Sequence, residues 1–478
     1  MISTKMTTGE ESKIWPQLIA ASAIHVLSVV AGLVGGWTSP YLAKLTKGTE
    51  SLTITNDEAS WIASLSHSSQ PLGSIIGAVI VYKFGAKKAV LLSGVPYALV
   101  WSCFLINESV LLIYASKLFS GVGFGIYVAS YPLYIGEIGN PKIRGTLIGL
   151  IAEGKAIGVL LGNLLGAYVN MRIFAIISLI LTAIFLVTFP FFPDSSHHLV
   201  KRNLLEGAEE SLKWYNRQKD VRVELESLRV YIEESRVLSL IESFRTLSTP
   251  LNHKILFNIV SIHIFMQLSG IYTIMLYLEI LLTSLKVDVI APSLVVICVA
   301  IVSIPSGLIS MYTNDHFGRR TMLAVSTLGV CVNFALIGVN FLLLKQGYHN
   351  LTLQWLMITE VMLYMIFLHL GLTHIPSCLL GEIFSPELKE ICSCIVHILY
   401  AFAAFIGSRT YQPLLDATSE EFIFFLYAFL VLFMFFYTRA VVPETKGKSL
   451  QEIQEMLRKK SEWVLNIQNE QPTESTYC

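Results

Sequence analysis

The sequence predicts an all-α membrane protein of twelve spans set out as two six-helix bundles. Three observations carry this. The composition is 54% hydrophobic and 14% charged over 478 residues, where soluble domains run to roughly 25% charged, and mean hydropathy is +0.62. The apolar residues fall in continuous runs of about 20, the length at which a helix crosses the hydrocarbon core with its backbone satisfied internally. One polar stretch, residues 193–253, parts those runs into six and six.

Taken in order, residues 1–14 are a polar tail with no cleavage-site pattern, so the first apolar run reads as a retained span rather than a leader. Residues 15–192 hold runs at 17–37, 61–81, 87–106, 110–134, 145–168 and 172–192. Asn56, Asp57 and Glu58, just before Trp61, read as the cap of the second span. In the linker, Leu204, Leu205, Ala208, Leu212 and Trp214 recur near helical spacing among Glu206, Glu209, Glu210 and Lys213, and Val221–Ile241 repeats the pattern. These read as short amphipathic helices lying in water or against a membrane surface. Residues 254–442 hold runs at 254–279, 289–312, 321–344, 354–380, 391–413 and 421–441. In the 443–478 tail, Ser449–Trp463 reads as an amphipathic helix and Asn469–Cys478 as disordered.

Basic residues fix the orientation. Placing the tails, linker and even-to-odd loops on one face gives it 26 of the 34 Lys and Arg, with Lys44, Lys47, Arg172, Lys286 and Lys345 opposite and three more within or at the ends of spans. The basic face is the cytosolic one, so both termini are cytosolic. The sequons at Asn107 and Asn350 then lie outside, as candidate glycosylation sites. A formal net charge of zero gives no reason for a nucleic-acid partner. The 7 cysteines show neither metal nor disulfide spacing, and no nucleophile–base constellation appears. An enzyme, a metal and a cofactor are therefore not expected.

The two halves are repeats. Gly77 to Lys88 after the second span (ending Tyr82-Lys-Phe-Gly85-Ala86-Lys87-Lys88) matches Asn314-Asp315-His-Phe-Gly318-Arg319-Arg320 after the eighth. Tyr134-Ile-Gly-Glu137 with Arg144-Gly145 matches Leu380-Gly-Glu382 with Lys389. Pro193-Asp194-Ser195 matches Pro443-Glu444-Thr445-Lys446-Gly447. Three matched pairs in register make a parallel six-span repeat.

On these residues the chain resembles the sugar-porter family of the major facilitator superfamily, with the arrangement of the insect facilitated trehalose and hexose transporters. The resemblance covers roughly residues 15–460. It implies a carrier working by alternating access in the plasma membrane, with a small sugar and the lipid bilayer as its partners. It also implies a cytosolic charge network of Glu137, Arg144, Asp315, Arg319, Arg320, Glu382, Lys389 and Glu444. Its first-half copy is degraded, because Tyr82 and Ala86 stand where the family has an acid and an arginine.

The family's sugar-contacting positions are poorly kept. Its Gln-Gln-x-Ser-Gly-Ile-Asn stretch reads Met266-Gln267-Leu-Ser-Gly-Ile-Tyr272, its fifth-span glutamine falls on Ala152, and its Pro-Ile-Pro-Trp on His374-Ile-Pro376-Ser377. Its tenth-span acid falls on His369 and its eleventh-span asparagine on Tyr400. Gln267 is the leading candidate, since a mid-span amide faces the bundle interior rather than lipid. Tyr272, Tyr400 and His369 add aromatic, hydrogen-bonding character.

Thr38 occupies the first-span position where proton-coupled members carry aspartate, which implies uniport. Lys117 stands at a basic fourth-span position of the family and is expected to be held by backbone carbonyls. Glu153 and Lys155 lie two apart on different faces of the fifth span. An unpaired charge there costs about 2.5–3.5 kcal/mol on insertion scales. His25, His67, His263 and His397 read as helix–helix hydrogen-bond partners. Two alternatives stay open: a proton-coupled symporter using Glu153 or His369, and a non-transporting sensor that kept the fold and lost the site.

Overall fold

The computed structural model describes residues 13–48, 52–107, 109–140, 143–218, 220–234, 240–348, 350–384, 386–446, 452–453 and 455–456. Long helices dominate. The first half contains α1 (Trp15–Gly36), α2 (Thr38–Lys47), α3 (Asn56–Phe84), α4 (Ala86–Ile106), α5 (Val110–Ile138), α6 (Arg144–Tyr168) and α7 (Met171–Thr188). Four short helices follow: α8 (Ser196–Lys201), α9 (Leu205–Asn216), α10 (Arg222–Glu234) and α11 (Leu240–Leu247). The second half contains α12 (Pro250–Leu268), α13 (Ile271–Ser284), α14 (Pro292–Phe317), α15 (Arg319–Lys345), α16 (Leu351–Phe367), α17 (Ile375–Ile383), α18 (Pro386–Ala417) and α19 (Glu420–Val441).

Ten of the described helical stretches are long and apolar enough to cross a membrane. The second span falls short because α3 carries six serines, His67 and Gln70. The seventh falls short because it is broken. The sequence expects one helix over 254–279; instead α12 stops at Leu268 and α13 begins at Ile271. Gly270 between them has φ +82°, and a β-carbon there would lie 2.4 Å from the Tyr427 ring. The tenth span is likewise not one helix: a π-helical turn, Leu368–Leu372, separates α16 from α17.

The start of α3 corrects the expected cap. Thr55, not Asn56 or Asp57, is the N-cap: its hydroxyl accepts from the Glu58 N–H at 3.2 Å while Glu58 Oε2 accepts from the Thr55 N–H at 2.8 Å. This reciprocal box satisfies two donors that a helix start leaves orphaned.

The helices group into two compact units whose borders do not follow the sequence halves. The first holds Met1–Arg236 with Tyr272–Ile304 and Ser408–Pro413; the second holds Val237–Ile271, Pro305–Gly407 and Leu414–Cys478. In the first unit, small residues set the packing. Gly32 and Gly36 of α1 face Gly158 and Gly162 of α6, where a β-carbon on Gly158 would sit 2.1 Å from the Val29 carbonyl oxygen and 2.8 Å from Gly32 Cα. Gly73 of α3 and Gly121 and Gly125 of α5 are equally close to the facing backbones. Lipid is as apolar as leucine, so helices in it associate through such close packing rather than through apolar burial.

The linker is not a tether lying in water. Ala208, Ser211 and Tyr215 of α9 are buried. The Tyr215 hydroxyl meets the Tyr134 hydroxyl at 2.6 Å and the Ser211 hydroxyl donates to the Asp194 carbonyl at 2.6 Å. Gln17 joins the assembly, accepting from the Asn140 N–H at 2.8 Å. Of the C-terminal tail, residues 452–453 and 455–456 are helical, and Asn469–Cys478 lies outside the described residues.

Candidate substrate site and charge network

The break in α12–α13 positions the strongest site residue. Gln267 stands one turn of chain before Gly270 and is 1% exposed, yet neither its Nε2 nor its Oε1 has a hydrogen-bond partner. A buried amide with both ends unmade costs about 1–3 kcal/mol per group, so a native chain retains one where something else supplies the partners. Helix α18 crosses here, its Gly407 so close that a β-carbon would lie 2.8 Å from the Gln267 carbonyl oxygen. Met266 beside it is buried. One turn back, the His263 ring lies edge-on to Tyr400 with centroids 6.1 Å apart.

On the tenth span, His369 sits in the π-helical turn with Nδ1 3.0 Å from the Met365 carbonyl oxygen and its ring 6.2 Å from that of His374. Ser377 is exposed on α17. These five candidates, Met266, Gln267, His369, Ser377 and Tyr400, belong to the second unit; Thr38 and Ala152 belong to the first. Ala152 is exposed and offers no polar atom. Tyr272 is the second residue of α13, and its side chain lies outside the described residues.

Lys117 departs from expectation. Rather than backbone carbonyls, its ammonium donates to the Thr38 hydroxyl at 2.6 Å and lies 4.2 Å from the Trp37 ring centroid. Thr38 in turn donates to the Val34 carbonyl at 3.1 Å. His25 does bridge helices, through Nδ1 at 2.8 Å from the Leu150 carbonyl oxygen. His263 and His397 instead bond carbonyls of their own helices, Ile259 and Ser393.

Within the second unit the charged motif residues form a connected network. Arg319 makes an ion pair with Glu382 at 2.9 Å, and Thr445 donates to the other Glu382 oxygen at 2.6 Å. Glu444 accepts from the backbone N–H groups of Arg319 and Arg320 at 3.0 and 3.1 Å. Its carboxylate thus caps the first turn of α15, where orphan N–H groups and the helix dipole favour an anion. Gly318, at φ +93°, makes room: a β-carbon there would lie 2.6 Å from Glu444 Oε2. The Arg320 guanidinium donates to the Arg439 carbonyl. The side chains of Asp315 and Lys389 lie outside the described residues. We expect Glu444→Ala to lower stability by about 1 kcal/mol, the usual worth of a cap, read as a downward shift in thermal unfolding in detergent. Gly318→Ala should do the same by pushing the carboxylate off the helix.

The first-half copy is built differently. Glu137 accepts from the Ser195 hydroxyl, while Arg144 donates to the Gly139 carbonyl at 3.3 Å and makes no ion pair among the described residues. Ser195 reaches the carboxylate from the segment that pairs with 443–447 in the repeat, and takes the role of Thr445. The Arg144 charge acts on the linker instead: burial, then Arg144 and Lys201, holds His197 below its ordinary value.

Sequence reasoning missed a clasp in the first unit. Arg409 pairs with Asp57 at 2.7 Å, donates to the Ser60 hydroxyl at 3.1 Å and lies 4.6 Å from the Trp61 ring centroid. Nearby the Tyr277 and Tyr411 rings lie 4.9 Å apart, and Lys47 donates to Thr283 at 3.3 Å. The lone Arg409 inside an apolar run was the available signal. Of the sequon residues, Asn107 is exposed, whereas the Asn350 side chain caps α16 by accepting from the Leu353 N–H at 2.8 Å. Among the described residues there is no group of three His, Cys, Asp or Glu side chains able to hold a metal ion.

Known proteins share this arrangement. The facilitated trehalose transporter Tret1 of Polypedilum vanderplanki is 28% identical over 462 residues, covering 96% of this chain and 91% of that protein. Tret1 of Bombyx mori is 28% identical over 467 residues, covering 96% and 90%. The inward-open xylose transporter XylE from E. coli aligns with a TM-score of 0.76 at 17% identity over 92% of this chain and 99% of that one. At such identity the likeness speaks for the fold alone, the twelve-helix major facilitator fold. The family pattern described as Sugar (and other) transporter runs over residues 20–457, from the first span past the Glu444 cap, and the chain belongs to that family.

Proposed function

We propose that this chain is a facilitative carrier that moves a sugar, trehalose or hexose-like, across the plasma membrane by alternating access. The observation that carries the reading is Gln267, a buried amide with both polar ends unpartnered beside a helix break. Sugars present many donors and acceptors at once, and such an amide answers one of each. The named relatives, trehalose transporters of two insects, support the substrate class. Uniport is supported by Thr38: a hydroxyl, rather than a carboxylate, meets the buried Lys117. The cytosolic orientation of both termini and the glycan positions at Asn107 and Asn350 belong to the same proposal.

Uptake of radiolabelled trehalose and glucose in oocytes, with and without a pH gradient, tests it. Saturable uptake indifferent to the gradient is expected. Uptake that follows the gradient would replace uniport by proton coupling, for which Glu153, with a buried unpartnered Oε2, is the candidate carboxyl. Normal surface expression with no flux would replace the carrier by a sensor.

A further inference from the structure

Two lysines in the first unit lie within spans, and neither has a carboxylate partner. Lys117 of α5 is 3% exposed and, among the described residues, is held by the Thr38 hydroxyl and the Trp37 ring. Lys155, midway along α6, keeps access to solvent and places its ammonium 4.6 Å from the Phe124 ring centroid. Neither forms an ion pair among the described residues.

The two belong to one cluster. Phe124 follows Lys117 by seven residues on α5, two turns and about 10 Å along the same face, so the cation resting on Phe124 shares that face with Lys117. His67 of α3 follows Ser66, whose carbonyl oxygen would lie 2.0 Å from a β-carbon on Gly121 of α5. Its helix is registered against α5 by the Ser69 hydroxyl, which donates to the Leu118 carbonyl at 2.8 Å. Glu153, two residues from Lys155, points elsewhere on α6 and makes no ion pair among the described residues.

Ring faces and one hydroxyl orient an ammonium but do not neutralise it, and charges inside a membrane protein are retained where they meet a partner or a permeating ion. A neutral sugar leaves both charges as they are; an anion removes one. On the reading that the chain is a carrier, we infer that Lys117, Lys155 and His67 form an anion-accepting subsite, and that the preferred cargo is a sugar acid bearing one carboxylate.

Glucuronate and glucose differ only in carboxylate against hydroxymethyl, so they isolate the charge. Oocytes expressing the full chain are given labelled glucuronate, glucose or trehalose, with surface protein quantified by biotinylation. Glucuronate uptake at least ten-fold above glucose uptake at equal concentration is expected. Lys155→Gln and Lys117→Gln should each lower the glucuronate-to-trehalose uptake ratio ten-fold or more, while Lys155→Arg keeps it. Since Lys117→Gln carries a folding risk, the purified wild type supplies a second readout: glucuronate, and not glucose, should raise its melting temperature. Neutral-sugar uptake that excess glucuronate neither matches nor inhibits overturns the subsite and leaves the carrier standing. Inhibition by chloride without glucuronate flux also overturns it, assigning the charges to an inorganic ion. Absence of flux for all three sugars at normal surface expression overturns both.

Discussion

Gly158→Leu should abolish assembly of the first unit. The added side chain would start 2.1 Å from the Val29 carbonyl oxygen and 2.8 Å from Gly32 Cα, both backbone atoms. A side-chain neighbour can change rotamer; a helix backbone must move as a body, and α1 meets α6 again at Gly36 and Gly162. Overpacking in a core typically costs 1–3 kcal/mol where side chains yield, so here the loss should exceed that range. Fluorescence size-exclusion chromatography of detergent extracts should show at least a ten-fold loss of the monodisperse peak. Gly136→Ala is the control: a β-carbon there has nothing within 4 Å, and removing a helical glycine stabilises by about 0.4–1 kcal/mol through the unfolded chain. A Gly158→Leu protein that runs like wild type would refute the close-packing account.

Gln267→Leu should separate stability from transport. Leucine is near in size and carries no polar atom, so it relieves two buried unmet groups, each costing about 1–3 kcal/mol. The melting temperature of the unliganded protein should therefore rise. Uptake should move the other way: losing two hydrogen bonds to the substrate, each about 1 kcal/mol or more, raises KM by about 10- to 50-fold. Gln267→Ala should weaken uptake similarly, without lowering surface expression. Kinetics unchanged in both variants would remove Gln267 from the site. A lowered melting temperature in the leucine variant would make it a structural residue instead.

The sequence displayed span lengths, the repeat and the charged motifs because each is a local pattern. Gly318-Arg319-Arg320 and Pro443-Glu444 were recognisable as strings, and the structure joins them through Glu444 at the start of α15. Four glycines of α6, at positions 154, 158, 162 and 166, were equally regular; their meaning needed the matching Gly32 and Gly36 across the interface. The break at Gly270 escaped notice because apolar content is the same on either side, and hydropathy does not sense φ. Partner choice was the least accessible. Nothing near Lys117 in the chain announces that Thr38, 79 residues away, supplies its acceptor, or that Arg409 reaches Asp57 across 352 positions.

The interruption at Ser269–Gly270 has one more implication, for how such a protein diversifies. Where a helix stops inside a membrane, peptide groups lose their usual intrahelical partners and become available to whatever passes through. Recognition by the main chain survives any exchange of side chains around it. A lineage can then trade tryptophan for Ser377 or asparagine for Tyr400, acquiring a different passenger without first having to reinvent a way of gripping one.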